Sequence, residues 1–302
     1  NIKSDPTDPN SDDLWLYGDP DFVADYPGVL RQIKQAGFDA VMMEVLATQT
    51  LQDYQRMLED AGLRPAPGYA MTALPADHDQ DVKPGTHEWV HWFDGIRRKA
   101  EESNYFGLST VFLAPEMGWG PSMTRVHNAA AIGHDFDQDR LDRVVETLAY
   151  AAEVFKREGI RPGLHNHVGS WVETREEIDY VLSNIDNSLL GASFDIGHLE
   201  WAGVDSVQML TQYRDRLVDL HFKDLNLEVA RESRTNPGAY SATMNKALFA
   251  EPGLGHVDLD SILGALPDDF PGWVIIEVDR ATMDPYQSAV HTSHWLANTL
   301  PA

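Results

Sequence analysis

The sequence predicts an α/β chain folded as one (β/α)8 TIM barrel, on three observations. Eight short apolar runs of β type follow one another, helical periodicities separate them, and 302 residues suffice for eight such units in one domain. The runs are LWLY (14–17), AVMMEV (40–45), RPAPGYA (64–70), STVFLAP (109–115), RPGLHNH (161–167), GASFDIG (191–197), LVDLHFKD (217–224) and WVIIEVD (273–279). A doubly wound open sheet is the competing architecture, but no glycine-rich dinucleotide fingerprint follows the first run. Residues 1–13, NIKSDPTDPNSDD, lack the blocks of a signal peptide and read as a polar arm, which leaves 14–302 as a single barrel domain.

Between the runs the helices carry their own signals. YPGVLRQIKQAG and LQDYQRMLEDAG are periodic and stop at a glycine suited to a C-terminal cap. Leu141, Val144, Val145, Leu148 and Ala152 recur at the spacing of a helix with one face on a sheet. Thr174 and Glu177 form a capping-box pattern ahead of Ile178, Val181, Leu182 and Ile185, and VQMLTQYRDRL repeats the period. Two connections, 71–86 and 225–256, are longer than a barrel needs. Both leave the C-terminal ends of strands, so each reads as a lid or a partner-docking surface, with a mobile insertion as the plainer alternative.

Composition narrows the function classes. Forty-eight acidic against 23 basic side chains give a formal charge of −25, which opposes binding to nucleic acid or an anionic membrane. No run of about 18 apolar residues is present to span a bilayer, and a cytoplasmic location is the default expectation. With no cysteine there is neither disulfide nor thiolate metal site, so any metal must take nitrogen and oxygen ligands.

Barrel enzymes gather their chemistry at the C-terminal ends of several strands. The last four runs end in His165 and His167, in Asp195 and His198, in His221 and Lys223, and in Glu277 and Asp279. Alternation along a strand turns residues i and i+2 to one face, so His165 with His167, and His221 with Lys223, can look into the mouth together. Singly each has a dull explanation: a hydrogen-bonded structural histidine, an Asp195 that caps a loop, a Lys223 paired with Asp224. Jointly, so many ionisable groups on one apolar rim stay unsatisfied unless a cation or substrate engages them. Glu116 and Trp119 end the fourth run and Trp171 and Glu173 follow the His pair, all four as candidate substrate contacts.

GLHNHVGSWVETREEIDYVL, FDIGH, DLHFKDL, PGLGHVDL and WVIIEVD occur in the order and spacing of the xylose isomerase-like barrel superfamily. Within it the chain resembles inosose dehydratases most, and the catalytic subunits of C-glycoside deglycosidases are also similar. The resemblance implies one divalent metal held by His165, Asp195, His221 and Glu277. Many members carry Glu at the first of these positions, so His167 or a water is an alternative to His165. Mn²⁺ heads the expected metals, with Mg²⁺, Co²⁺ or Zn²⁺ as alternatives. The implied chemistry is α-proton abstraction from a keto-sugar, keto-inositol or keto-glycoside followed by β-elimination; on our reading His167 or His198 is the base and the other the acid, with Lys223 near the developing oxyanion. Isomerase or epimerase action through the same enolate and a non-catalytic sugar-binding subunit are the alternatives. A homo-oligomer, or a complex with a small second subunit, is the expected assembly.

Overall fold

The computed structural model describes residues 20–117 and 123–299. The strands in chain order are β1 (Ala40–Met42), β2 (Arg64–Ala66), β3 (Tyr69–Thr72), β4 (Thr110–Pro115), β5 (Arg161–Leu164), β6 (Gly191–Ala192), β7 (Leu220–Phe222), β8 (Asp224–Leu225), β9 (Phe249–Ala250) and β10 (Val274–Ile276). β1 pairs with β2, β3 with β4, β4 with β5, β5 with β6, and β7 with β10, all parallel. Parallel bridges Ala192↔Leu217 and Asp195↔His221 carry the sheet from β6 to β7. Neighbours in sequence are therefore neighbours in space, with helices between them, which is the connectivity of a (β/α)8 barrel. The predicted first run, 14–17, lies outside the described residues; β1 and β10 line an apolar slot with Phe22, Tyr26 and Leu296.

The third predicted run is split into β2 and β3 at Pro67 and Gly68. Gly68 passes so close to β1 that a Cβ there would be driven into the carbonyl oxygen of Met43. Its own carbonyl accepts from Phe112 N at 3.1 Å, so the interruption keeps the ladder to β4 intact. On β4, Val111 and Leu113 belong to the main apolar cluster. Phe112, fully buried, turns the other way and lies under the site, its ring 4.0 Å from that of His221 and 5.6 Å from that of His165.

Helix signals translate directly. Thr50 and Asp53 make a reciprocal capping box on Leu51–Ala61, which ends at Gly62 with φ 73°. Thr174 and Glu177 make the same box on Arg175–Asn184. The helix Gln138–Arg157, capped by Asp137, buries Leu141, Val144, Leu148, Ala151, Ala152 and Phe155 along one face.

The two long connections differ in regularity. Segment 71–86 contains the 3₁₀ turn Pro75–His78. Segment 225–256 folds into helices Leu227–Thr235 and Tyr240–Met244, and β9 returns antiparallel to β8. Asp224 secures the end of the insertion: its carboxylate accepts from Gly253 N, Gly255 N and Val257 N at 2.9, 2.9 and 3.0 Å. Lys223 thus loses the partner proposed for it next door in sequence. Among the described residues no helix is long and apolar enough to cross a membrane.

Candidate active site

The strand ends converge as the alternation predicts. His165, Asp195, His198 and His221 are fully buried and Lys223 is 1 % exposed. Asp195 serves two ends at once. It is the N-cap of the helix Ile196–Trp201, with Oδ1 accepting from His198 N at 3.0 Å, while Oδ2 turns into the barrel. Asn166 fixes its backbone: Asp195 N donates to Asn166 Oδ1 at 3.0 Å and Asn166 Nδ2 donates to Asp195 O at 3.2 Å.

Hydrogen bonds settle the histidine tautomers. His165 Nδ1 faces the carbonyl oxygen of Ser193 at 3.3 Å and His167 Nδ1 faces that of Val168 at 2.7 Å, so both carry the proton on Nδ1 and leave Nε2 bare. Tyr69 O–H donates to Glu277 Oε2 at 2.9 Å, and its oxygen lies 2.7 Å from His221 Nδ1. His221 Nδ1 is also 2.6 Å from Glu277 Oε2, so it too carries a proton on Nδ1. Burial, then the neighbouring cations, holds His167 down to about 4 and His165 and His198 well below the usual imidazole range. All three are neutral at pH 7.

The carboxylates are charged. Burial pushes Asp195 up to about 6, against the pull of Lys223. Burial also opposes ionisation of Glu277 and Asp279, but the Lys223 ammonium overcomes it and holds both below the usual range. Lys223, for its part, is held well above the ordinary lysine range by Asp195, Asp279 and Glu277 despite burial. Three carboxylates thus surround one ammonium in the pocket, an arrangement that favours a further cation.

The donor set fits a divalent metal. One donor atom each of His165, Asp195 and His221 lie within 4.8 Å of one another. His165 Nε2 and Asp195 Oδ2, 3.8 Å apart, are buried with no hydrogen-bond partner, and His221 faces Asp195 Oδ2 through Nδ1 at 3.9 Å. Nitrogen and carboxylate oxygen are the ligands of Mn²⁺, Mg²⁺, Co²⁺ and Zn²⁺. Glu277, the fourth ligand expected from sequence, is not among these three; its Oε2 lies 2.6 Å from His221 Nδ1, the nitrogen that also faces Asp195 Oδ2 at 3.9 Å. His167, His198 and Asp279 form a second such group beside the first.

The four candidate substrate contacts are placed differently. Trp119 lies outside the described residues. Glu116 Oε2 is 2.7 Å from His78 Nε2, and Trp171 Nε1 donates to Asp77 Oδ2 at 2.7 Å; both line a small crevice beside segment 71–86. Glu173 is fully buried, and its oxygens accept from Gly169 N, Gly133 N and Ala131 N at 2.7, 2.8 and 3.0 Å. Its carboxylate is therefore taken up by backbone rather than presented at the mouth. Nearby, the buried Arg125 donates to both oxygens of Glu177 and to Ser170 O at 2.9 Å.

Two site residues escaped the sequence reading. Tyr69 opens β3, near the end of the predicted run 64–70, so applying the strand-end rule to that run could have found it. Tyr240 comes from the insertion, its ring 6.0 Å from that of His167 and 4.8 Å from that of Trp201, and nothing local in the sequence marks it.

Comparisons with known proteins agree with this architecture. An inosose dehydratase of Lacticaseibacillus casei is 29 % identical over 168 residues, 55 % of this chain and 56 % of that protein. The chain thus spans about half the length of the curated relatives it matches. A probable 3-DHS dehydratase, AsbF, from Bacillus anthracis superposes with a TM-score of 0.64 at 16 % identity, covering 91 % of this chain and 94 % of that one. A Mycobacterium smegmatis barrel in complex with magnesium gives a TM-score of 0.62 at 15 % identity, covering 91 % and 87 %. At such identities the structures speak for the fold. The family profile described as xylose isomerase-like TIM barrel matches residues 30–299, and the chain belongs to that family.

Proposed function

We propose that the chain is a divalent-metal-dependent lyase that removes the α-proton of a keto-inositol or keto-sugar and eliminates the β-substituent, in the manner of an inosose dehydratase. One observation carries the reading: a buried group of His165, Asp195 and His221, with His165 Nε2 and Asp195 Oδ2 lacking any hydrogen-bond partner, stands beside His167, His198 and Lys223, which are left to handle protons and charge. His165, Asp195 and His221 would hold the metal, with Glu277, beside His221 Nδ1, as the fourth ligand. When bound, it supplies Lewis-acid polarisation of the substrate carbonyl, worth several kcal/mol. Neighbours in the fold hold magnesium or zinc, which supports a divalent ion; Mn²⁺ is our first choice.

The chain's own residues divide the proton work. His167, the least buried of the site histidines, is neutral with Nε2 bare, so it takes the α-proton while the C–H electron pair moves toward the carbonyl oxygen. Lys223 keeps its charge and faces that developing anion. Its ammonium lies 3.3 Å from His198 Nε2, an acceptor contact that puts the His198 proton on Nδ1. His198 gives that proton to the departing β-hydroxyl, which leaves as water. Each positioned group contributes about 10²- to 10⁴-fold.

The test is proton NMR in D₂O of the Mn²⁺-supplemented chain with 2-keto-myo-inositol and, in the same tube, a 3-keto-glycoside. Loss of an α-proton signal with an unsaturated product is the expected result. Release of an aglycone from the glycoside would make the enzyme a C-deglycosidase, and exchange without elimination an isomerase or epimerase. His167→Asn should abolish exchange and keep the metal. No exchange with Mn²⁺ bound would overturn the reading in favour of a sugar-binding chain, or one that needs a small second subunit, which light scattering of the purified protein separates.

A further inference from the structure

Lys223 occupies an unusual position between the two groups of potential ligands. Its Nζ lies 2.7 Å from Asp279 Oδ1 and 3.3 Å from His198 Nε2 on one side, and 2.9 Å from Asp195 Oδ2 and 3.3 Å from Glu277 Oε2 on the other. The approach to Asp195 is close but not aligned as a hydrogen bond, since Asp195 Oδ2 has no hydrogen-bond partner. The berth for this side chain is built. Gly197, between Asp195 and His198, leaves the space through which the lysine stem runs, and a Cβ there would meet Lys223 Cβ at 2.5 Å and Cδ at 3.2 Å. Phe249, from the insertion, lies 5.9 Å from the ammonium.

We propose that Lys223 is an internal competitor of the metal: its ammonium neutralises Asp195 in the metal-free site and withdraws onto Asp279 and His198 when a divalent ion takes Asp195 Oδ2. The inference rests on the metal site proposed above and adds to it a residue that sets affinity and exchange. The physical basis is charge at short range. An ammonium 2.9 Å from a ligand oxygen must be displaced before that oxygen can coordinate, and its remaining charge continues to repel the ion. Asp279 is the group that makes displacement cheap, because it already holds the same ammonium at 2.7 Å. The second group of His167, His198 and Asp279 therefore already has a cation, supplied by the chain.

The test measures Mn²⁺ affinity of the full chain by electron paramagnetic resonance of the free ion, with Lys223→Met, Asp279→Asn and the double variant beside the wild type. Lys223→Met should bind Mn²⁺ more tightly, by roughly tenfold or more. Asp279→Asn should bind it more weakly, because the ammonium loses its second berth and stays on Asp195. In the Lys223→Met background the Asp279→Asn effect should largely vanish. If position 279 acted only through its own charge, the weakening would be equal in both backgrounds, and the inference would fall. Unchanged or weaker binding in Lys223→Met would overturn it while leaving the metal site standing. No Mn²⁺ bound by wild type or by Lys223→Met would remove the metal site itself. Should Lys223→Met not fold, Asp279→Asn alone decides, since equal or tighter binding there contradicts the competition.

Discussion

Glu173 distinguishes a substrate contact from a structural clasp, and its replacement by Ala has a calculable consequence. Its carboxylate accepts three backbone amides at 2.7, 2.8 and 3.0 Å, joining the loop after β5 at Gly169 to the loop after β4 at Ala131 and Gly133. All three donors sit in left-handed backbone, with φ of 91°, 69° and 65°, and Ala131 is the one that pays a steric penalty for it. Truncation leaves the buried amides of Ala131 and Gly169 unpaired at about 1–3 kcal/mol each and the half-buried one of Gly133 at the low end of that range, so the expected loss is roughly 5 kcal/mol. That is a large part of the 5–15 kcal/mol typical of a folded domain, and at about 2–4 °C per kcal/mol it lowers the melting temperature by about 10–20 °C. Glu173→Gln keeps one accepting oxygen and turns an NH₂ toward an amide, so it should lose about half as much. Thermal melts and urea midpoints followed by near-ultraviolet circular dichroism, where Trp171 reports on the same loop, measure both. An Ala variant within about 1 kcal/mol of wild type, with catalysis lost, would refute the clasp and restore the substrate contact expected from sequence.

Three further outcomes are expected. Asp224→Asn removes a charged acceptor from Gly253, Gly255 and Val257, so hydrogen exchange at those amides should accelerate by about tenfold or more, equivalent to about 1.4 kcal/mol, while exchange in the helix Gln138–Arg157 stays slow. Gly68→Ala drives a methyl group into the Met43 carbonyl and should cost about 1–3 kcal/mol in urea denaturation; a neutral result would mean that β1 and β3 separate easily. Mn²⁺ at a hundredfold excess over its dissociation constant should stabilise the chain by about 2.7 kcal/mol, reversed by a chelator, and an unmoved melting curve would contradict the proposed ligand group.

Much of this protein is readable along one chain. Strand runs, caps at Thr174 and Gly62, and the ionisable residues at strand ends depend on neighbours a few positions away, and there periodicity and local hydrogen bonding are strong signals. Alternation alone turns His165 with His167 and His221 with Lys223 to one face. Other features depend on residues far apart in sequence. Tyr69 reaches Glu277 across 208 positions, and Asp77 accepts from Trp171 across 94. Glu173 reads locally as a polar residue beside a site, and only the loop folded over it reveals three amides with no other acceptor. The same holds for Lys223: its neighbour Asp224 is committed to the insertion, and its charge is shared instead among carboxylates from two other strands. Local spacing determines which chemical groups arrive at the barrel mouth; which of them pair is decided by burial, because a charge or amide taken from water must accept whatever partner the packing brings within reach.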